Sequence, residues 1–386
     1  MTVSWTDSRF RSSPALELKR IHELPPEQQA ALAELQRDDD FYGVLVPRVR
    51  GAASLKSVGR AAAELLLSVS TPGTLDTARF ADDAWRNDVV DLVLDGILEV
   101  EHEGRFVSGA DAFAFLECGG LAAALENGGK SGGKSAAALH IDALRHAEAL
   151  ATRDAALLTT ALYSYNRLPR TRAWAARFPD RESVLAHLGE NALLARHWIL
   201  PTATSGWISW QTRAPRASAP NAVTWKLYVS PRPEHIRDAF QALVRVLANV
   251  DGAQMKIGPD AAGLLRPDKL VAYFHTREEL DGAARALAAD LRGCPAHGVP
   301  FTARIDDDAL LSWGADPPDS ERVLSWLDRE SWRLFVAKTL AHAMSVAKQA
   351  TAPTIAPWQF AVERAHRHGI DVATWAPSPA LWSSAA

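Results

Sequence analysis

The sequence predicts an α+β protein, with an N-terminal helical and winged-helix-like region followed by a mixed α/β domain and C-terminal helices. Two observations lead to this prediction. Apolar residues recur at helical spacing in the first third of the chain, and strands alternate with helices from residue 221 onward. The 386 residues divide into a region over 1–116, a Gly-rich linker or mobile loop over 117–135, and a domain over 136–386.

The N-terminal region begins with one predicted strand, Tyr42–Val46. Ser54 is the N-cap candidate of a first helix, and a second helix begins near Asp82 and closes at Gly96. Residues 97–108 predict a β-hairpin. Two helices followed by a hairpin is the order of a winged helix. Because the region is not basic, the sequence favours peptide binding or a scaffolding role over contact with DNA.

The remainder of the chain predicts a long helical stretch over 136–165 and then the α/β domain. Residues 223–230 alternate strictly, so that Lys226 and Tyr228 share one face of a strand with Thr224 and Ser230. The other predicted strands are 254–258, 270–275, 301–305 and 310–313, and the predicted helices are 233–249, 278–292, 323–327, 332–346 and 359–368.

Composition excludes several classes of protein. The 42 Lys+Arg and 46 Asp+Glu leave a net charge of −4, which argues against a nucleic-acid partner. No apolar run reaches the length of about 18 residues that a membrane helix needs, so no membrane partner is expected. The two cysteines lie far apart, so no disulfide framework is implied. The N-terminus lacks a secretory signal, and we therefore expect a cytoplasmic protein.

One motif suggests nucleotide binding. Gly128–Ser135 satisfies the pattern G-x-x-x-x-G-K-[ST] of a phosphate-binding loop, whose backbone N–H groups and lysine hold nucleotide phosphates. A true loop of this kind follows a strand, whereas residues 119–127 form an Ala/Leu/Gly segment without β-branched residues. A P-loop nucleotide-binding enzyme is therefore the less favoured alternative.

Other chemistries find no support in the sequence. His140 and His146 are six residues apart and lie on different faces of one helix, so no metal site is predicted. No cofactor is predicted either. Neither a Gly-x-Ser-x-Gly nucleophile elbow nor the kinase signatures are present.

Cations are concentrated in the α/β domain, although the protein as a whole is negative. A partly desolvated lysine beside another cation has a lowered pKa, as a general base requires, and arginine provides bidentate contacts to phosphate. Such a group suits a phosphorylated substrate. The alternative is that the lysines lie on edge strands and discourage edge pairing. The residues concerned are Lys226, Tyr228, Lys256, Arg266, Lys269, Tyr273 and His275.

At these residues the chain resembles the phosphothreonine lyase superfamily, which includes type III secretion effector lyases, the lyase domain of class III lanthipeptide synthetases, and the stand-alone lyases of class V lanthipeptide and thioamitide pathways. The resemblance covers roughly residues 200–316, with Trp-Lys-Leu-Tyr-Val-Ser, a helix, Met-Lys-Ile-Gly, and Arg266 followed by Asp-Lys-Leu-Val-Ala-Tyr-Phe at 268–274. It implies that Lys256 is the general base, and that Lys226, Arg266 and Lys269 bind phosphate.

The resemblance departs from the family at the general acid. The family has a histidine two positions after the first lysine, and Tyr228 stands there. Tyr228 would act as the acid if Lys226 and the arginine lowered its pKa, and His275 is a candidate replacement.

The resemblance implies a lyase that eliminates phosphate from phosphoserine or phosphothreonine of a ribosomally made precursor peptide, giving dehydroalanine or dehydrobutyrine in lanthipeptide-type biosynthesis. Its expected partners are that phosphorylated peptide, a separate Ser/Thr kinase and a cyclase. The winged-helix-like region would grip the leader segment of the peptide. The alternative is a non-catalytic partner that binds a peptide or the kinase.

Overall fold

The computed structural model describes residues 4–48, 55–116, 118–122, 125, 136–200, 206–213, 216, 222–306, 309–319, 324–379 and 381–382. These residues form a mixed α+β protein of two compact units, which confirms the predicted fold class. The first unit comprises Met1–Ala122, Arg322–Asp328 and His342–Arg364, and the second Ala123–Glu321, Arg329–Ala341 and Ala365–Ala386. The segment boundaries at 116 and 136 remain predictions.

Among the described residues before position 123, the first unit contains two antiparallel sheets and three α-helices. One sheet has the strand order β2-β3-β4 and the other β5-β1-β6-β7. The strands are β1 (Arg9–Ser12), β2 (Leu16–Lys19), β3 (Phe41–Pro47), β4 (Lys56–Gly59), β5 (Gly73–Thr74), β6 (Leu98–His102) and β7 (Arg105–Val107), and the helices are α1 (Pro26–Ala31), α2 (Arg60–Ser68) and α3 (Asp83–Leu94).

The predicted order of helix, helix and hairpin is present as α2, α3 and β6–β7. Asp82 caps α3 by accepting a 2.9 Å hydrogen bond from the N–H of Ala84, and Gly96 follows the helix with a φ of +71°. The first helix begins later than predicted, because Lys56–Gly59 pairs with β3 as a strand. The winged-helix comparison remains a prediction.

The second unit is built on seven antiparallel strands in the order β13-β14-β10-β12-β11-β9-β8. These are β8 (Trp198–Ile199), β9 (Ile208–Thr212), β10 (Thr224–Val229), β11 (Gln254–Ile257), β12 (Leu270–Phe274), β13 (Ala303–Arg304) and β14 (Leu311–Asp316). A two-stranded sheet, β15 (Ile370–Asp371) and β16 (Ala376–Pro377), lies near the C-terminus.

Five helices precede these strands in the chain: α4 (Ala136–Ala149), α5 (Ala155–Ser164), α6 (Arg172–Arg177), α7 (Arg181–Leu188) and α8 (Ala192–His197). The helices between the strands are α9 (Ile236–Leu247), α10 (Ala261–Leu264) and α11 (Arg277–Asp290). The helical stretch predicted over 136–165 is two helices, because Asp154 caps the start of α5.

One face of the seven-stranded sheet packs on α9 and α11. Leu227 and Val229 of β10 belong to this core together with Phe240 of α9 and Leu280 of α11. The alternation predicted for residues 223–230 is thereby confirmed. The opposite face of the same strand carries Lys226 and Tyr228, and the candidate site is built there.

Two further helices are α12 (Trp332–Ala347) and α13 (Pro357–Arg367). They confirm the last two predicted helices. The helix predicted over 323–327 is wrong for its described part, because residues 324–327 form turns and bends. Among the described residues, no helix is long and apolar enough to cross a membrane.

The phosphate-binding-loop motif, Gly128–Ser135, lies outside the described residues. Of the residues before it, Leu121, Ala122 and Leu125 are helical, and α4 follows it. The described residues therefore place no strand directly before the motif, which is the context that a P-loop needs.

Candidate active site

The central strands of the seven-stranded sheet bring two lysines and a tyrosine together. Lys226 of β10 lies opposite Tyr273 of β12, and Lys256 of β11 lies opposite Val271, two residues earlier on β12. Because side chains two residues apart in a strand point to the same face, Lys226, Lys256 and Tyr273 share one face.

Both lysines lie on internal strands. Strand β10 is between β14 and β12, and β11 is between β12 and β9. The alternative interpretation, in which the lysines protect sheet edges, is therefore wrong for Lys226 and Lys256, since such protection operates only on edge strands. Edge protection does not explain a lysine on an internal strand, so these two lysines are expected to have a partner or a function.

The ammonium nitrogen of Lys256 lies among aromatic rings. Its Nζ is 4.4 Å from the centroid of the Trp207 ring and 5.3 Å from that of Tyr273. Within the described part of the chain, no carboxylate or hydrogen-bond acceptor pairs with this nitrogen. Burial, and then the positive charge of Lys226, lower the pKa of Lys256 to about 8. Lys256 therefore has the proton affinity of a general base that works near neutral pH.

Lys226 is buried and paired with a carboxylate. Its Nζ forms an ion pair with Oδ2 of Asp316, at the end of β14, and lies 5.1 Å from the centroid of the Tyr273 ring. The other oxygen of Asp316 accepts a 2.8 Å hydrogen bond from the backbone N–H of Trp332, the first residue of α12. Asp316 thus links Lys226 to the start of α12.

Arg266 is held in a fixed orientation by Asp268. Its Nε and Nη2 donate hydrogen bonds of 2.8 and 2.9 Å to the two oxygens of Asp268. Nη1 of Arg333 lies 2.7 Å from Oδ2 of the same carboxylate. Burial opposes ionisation of Asp268, but Arg333 and Arg266 hold the pKa of this carboxyl well below its usual range. Asp268 is therefore a permanent anion that orients two guanidinium groups.

Aromatic rings join the arginines to the lysine. The guanidinium carbon of Arg266 lies 4.9 Å from the centroid of Trp207, the ring that Lys256 also contacts. Tyr163 of α5 lies under Arg333, with 4.7 Å between the guanidinium carbon and the ring centroid. Each contact is of the cation–π type, which holds a positive charge without neutralising it.

The group has an excess of positive charge. Lys226, Lys256, Arg266 and Arg333 are accompanied by two carboxylates, Asp268 and Asp316. The excess is two charges when Lys256 is protonated and one when it is neutral. A cavity of about 240 Å³ lies beside the group and is lined in part by Tyr163, Arg167, Arg266 and Asp268. The arrangement therefore favours an anionic ligand.

Tyr228 follows Lys226 on the same face and packs with Val271 and Val299. Burial, and then the negative charge of Asp316, raise the pKa of Tyr228 well above its usual value. The condition under which Tyr228 would act as the acid, a pKa lowered by Lys226 and the arginine, is not met, because burial and Asp316 outweigh the effect of Arg333. Tyr228 is a protonated phenol that can donate a hydrogen bond.

Two predicted site residues lie apart from the group. Nζ of Lys269 is 3.1 Å from the carbonyl oxygen of Pro231 and 2.8 Å from Nδ1 of His297. His275 follows the end of β12, and the register places it four residues, or roughly 13 Å along the strand, from the level of Lys256. The roles predicted for Lys269 and His275 remain predictions.

The tight turn between Lys256 and Arg266 depends on two glycines. A Cβ on Gly258 would lie 2.3 Å from the carbonyl carbon of Gly263, so the two backbones touch. Any larger residue at position 258 would separate β11 from α10 and move Arg266 away from Lys256.

Sequence reasoning overlooked Asp316, Arg333 and Trp207, and it gave no role to Asp268, which it quoted only as part of the motif. A signal existed only for Arg333, which is a single arginine among the apolar residues that begin α12. Asp316 and Trp207 lie at the ends of strands, where polar and aromatic residues are common. Among the described residues, no group of three or more His, Cys, Asp or Glu side chains could hold a metal ion.

Comparison with known proteins gives structural similarity only. No protein-family model and no curated protein matches the sequence. The chain is similar to an effector protein from Pseudomonas syringae pv. tomato strain DC3000, with 12% identity, a TM-score of 0.37, and coverage of 62% of this chain and 96% of the effector. It is also similar to an effector protein from Pseudomonas syringae pv. syringae strain 61, with 14% identity, a TM-score of 0.41, and coverage of 64% and 99%.

A third solved structure is that of the Chromobacterium violaceum VirA (SpvC) phosphothreonine lyase effector protein. The identity is 15% and the TM-score 0.27, with coverage of 42% of this chain and 86% of the effector. All three TM-scores are below 0.5.

Proposed function

We propose that this protein is a carbon–oxygen lyase that eliminates phosphate from phosphoserine or phosphothreonine in a peptide. The observation that carries the proposal is the position of Lys256. Its amine lies on an internal strand with a pKa of about 8, beside Lys226 and Arg266, and without a carboxylate partner among the described residues. A base next to cations is what the removal of a proton beside a phosphate ester requires.

In the proposed step, neutral Lys256 takes the proton from Cα of the phosphorylated residue. The electron pair of that C–H bond forms the Cα=Cβ double bond, and the Cβ–O bond breaks with its electrons leaving on the phosphate. The products are a dehydroamino acid, inorganic phosphate and a lysine ammonium, which returns its proton to water. No oxidant, reductant or cofactor enters the balance.

The cations have two tasks in this step. Arg266 is the most exposed of the paired cations, at 23%, and offers its remaining N–H groups to the phosphate, as the cavity beside it allows. Lys226 stabilises the charge that develops on the carbonyl oxygen next to Cα. Arg333, at 2% exposure, does not reach the substrate and acts by orienting Asp268.

Tyr228 donates a hydrogen bond to the leaving oxygen and keeps its proton. Phosphate is a stable anion once cations surround it, so departure needs no full proton transfer. The proposed step gives no part to Lys269 or His275, whose side chains lie outside the group.

The proposed substrate is the precursor peptide of a lanthipeptide-type product, phosphorylated by a separate Ser/Thr kinase and passed on to a cyclase. This context is supported by the motif resemblance around Lys226, Lys256 and Arg266 and by the absence of kinase signatures in the sequence. We also propose that the winged-helix-like region binds the leader of the peptide and that the protein acts in the cytoplasm.

A second candidate function is phosphopeptide binding without catalysis. It is favoured by one observation, the raised pKa of Tyr228, which stands where the lyase family has its histidine acid. In that case the same cations would hold a phosphopeptide that is not turned over.

Mass spectrometry of a phosphothreonine peptide incubated with the protein separates the two functions. If the protein is a lyase, the peptide should lose phosphoric acid. This loss should be abolished in Lys256→Met and retained in Lys19→Met, a matched surface variant outside the group. Tight binding of the unchanged phosphopeptide by the wild-type protein would overturn the lyase and support the binding protein. Loss of phosphoric acid that persists in Lys256→Met would remove Lys256 from the mechanism.

A further inference from the structure

One loop of the second unit, residues 297–302, packs against residues of the candidate site. Val299 packs against Tyr228 and Val271. The carbonyl oxygen of Pro300 accepts a 3.2 Å hydrogen bond from Nε of Arg333. The hydroxyl of Thr302 forms a 2.8 Å hydrogen bond with the hydroxyl of Ser312. Ser312 lies opposite Tyr228 in the β10–β14 register. The loop thus touches both Tyr228 and Arg333.

The loop contains a strained residue at its centre. Phe301 is buried and has a φ of +60°, a left-handed conformation that is unfavourable for a residue with a bulky side chain. Such strain persists only where neighbouring contacts over-determine the backbone, and it occurs often at functional sites.

His140 of α4 holds the strained residue. The backbone N–H of Phe301 donates a 2.8 Å hydrogen bond to Nδ1 of His140. The His140 ring stacks on Trp375, with 4.8 Å between centroids and 26° between planes, and the Phe301 ring lies 5.2 Å from Trp375. Burial, and then the positive charge of Arg304, lower the pKa of His140 to about 3. The ring is therefore neutral, with Nδ1 as the acceptor and the proton on Nε2.

The beginning of the loop has a second anchor, formed by the predicted phosphate ligand Lys269. Nζ of Lys269 contacts Nδ1 of His297, whose Nε2 is 2.6 Å from the carbonyl oxygen of Asn166. The side-chain amide of Asn166 donates hydrogen bonds to the carbonyl oxygens of His297 and Gly298. Because the start of the loop is fixed at His297, the position of Pro300 depends on the hydrogen bond at Phe301.

We propose that His140 is a positioning residue of the active site, which acts through the Phe301 N–H and the Pro300 carbonyl on Arg333. Arg333 fixes Asp268, and Asp268 fixes the fork of Arg266 that receives the phosphate. This inference rests on the proposed function for its substrate, but the contacts that carry it are independent of whether the phosphate is eliminated or only bound.

The test compares His140→Leu, which removes the acceptor, with His140→Asn, whose side-chain oxygen can take the place of Nδ1. His146→Asn, at an exposed position of the same helix, is the matched control. Affinity for a phosphothreonine peptide is measured calorimetrically in the Lys256→Met background, which prevents turnover. Elimination is measured with Lys256 intact. We expect His140→Leu to lose roughly 10- to 100-fold in both, and His140→Asn to recover most of this loss.

Arg333→Lys distinguishes a positioning role from a merely structural one. We expect His140→Leu to lower the melting temperature by the same amount whether residue 333 is Arg or Lys. In the Arg333→Lys background, however, it should reduce phosphopeptide affinity by no more than about twofold, since residues that act through one another are not additive. Two results would overturn the inference. One is a loss of affinity from His140→Leu that is the same in the Arg333→Lys background as with Arg333 intact. The other is a loss of affinity from His140→Asn as large as that from His140→Leu. Wild-type protein that binds the phosphopeptide without eliminating phosphate would overturn the lyase alone, and wild-type protein that binds no phosphopeptide would overturn both.

Discussion

The pH dependence of elimination should report the charge balance around Lys256. With a pKa of about 8, this lysine is neutral in about a tenth of molecules at pH 7, whereas an unperturbed lysine is neutral in fewer than about one in a thousand. We therefore expect kcat/KM to rise about tenfold per pH unit up to about pH 8 and then to level off. The second ionisation of the substrate phosphate, near pH 6, lies below this midpoint.

Lys226→Met is the perturbation that tests the cause of the low pKa. Nζ of Lys226 and Nζ of Lys256 lie 5.1 and 5.3 Å from the same ring centroid, that of Tyr273, so the two nitrogens are at most about 10.4 Å apart. At an effective dielectric constant of about 20, two unit charges at this distance repel by about 1.6 kcal/mol, or about one pKa unit. Asp316 keeps its negative charge in this variant, and that charge continues to raise the pKa of Lys256. The midpoint should therefore move to about pH 9 or above.

Asp316→Asn should shift the profile the other way. The carboxylate of Asp316 raises the pKa of Lys256, so its removal should move the midpoint below pH 8. Lys226→Arg keeps the positive charge and should leave the midpoint in place even if the rate falls. The assay is phosphate release at subsaturating phosphopeptide across the pH range. A midpoint that stays near pH 8 in both Lys226→Met and Asp316→Asn would refute the electrostatic account of Lys256.

Three further substitutions test other parts of the site. Asp268→Asn should lower the free energy of unfolding by about 3–5 kcal/mol in chemical denaturation, because it leaves Arg333 buried without its carboxylate, and a loss below about 1 kcal/mol would contradict this. Gly314→Ala should cost about 1–3 kcal/mol, since its Cβ would lie 2.5 Å from Cδ1 of Trp332, and an unchanged melting temperature would show that the ring has room to move. Tyr228→Phe should reduce kcat/KM only about tenfold, the value of one hydrogen bond, without moving the pH midpoint; a thousandfold loss would indicate that Tyr228 is the acid after all.

Much of the second unit could be predicted from the sequence because its signals are local. The alternation of residues 223–230 separates Leu227 and Val229 from Lys226 and Tyr228 wherever the strand lies in the sheet. The helical period likewise locates α9 and α11. Errors occurred where a distant partner overrode a local signal, as at Lys56–Gly59, which pairs with β3 instead of beginning a helix.

Part of the candidate site could also be predicted, since lysines on the polar face of a strand need a partner or a task. The sequence singled out Lys226, Lys256 and Arg266, which the structure places in one group. It also singled out Lys269 and His275, which belong to the same segment but lie elsewhere. Proximity along the chain did not distinguish these two sets.

Local periodicity therefore predicts the helices and strands and the two faces of each strand, because backbone geometry imposes those periods on any chain. The internal positions of β10 and β11, the ion pair of Asp316 with Lys226 and the contact of Arg333 with Asp268 follow from how distant segments pack together. The same packing buries Tyr228 and keeps it protonated. Strand order, ion pairing and pKa values depend on which groups meet and how much water they lose. Residues that meet in this site are separated by up to 170 positions, as Tyr163 and Arg333 are.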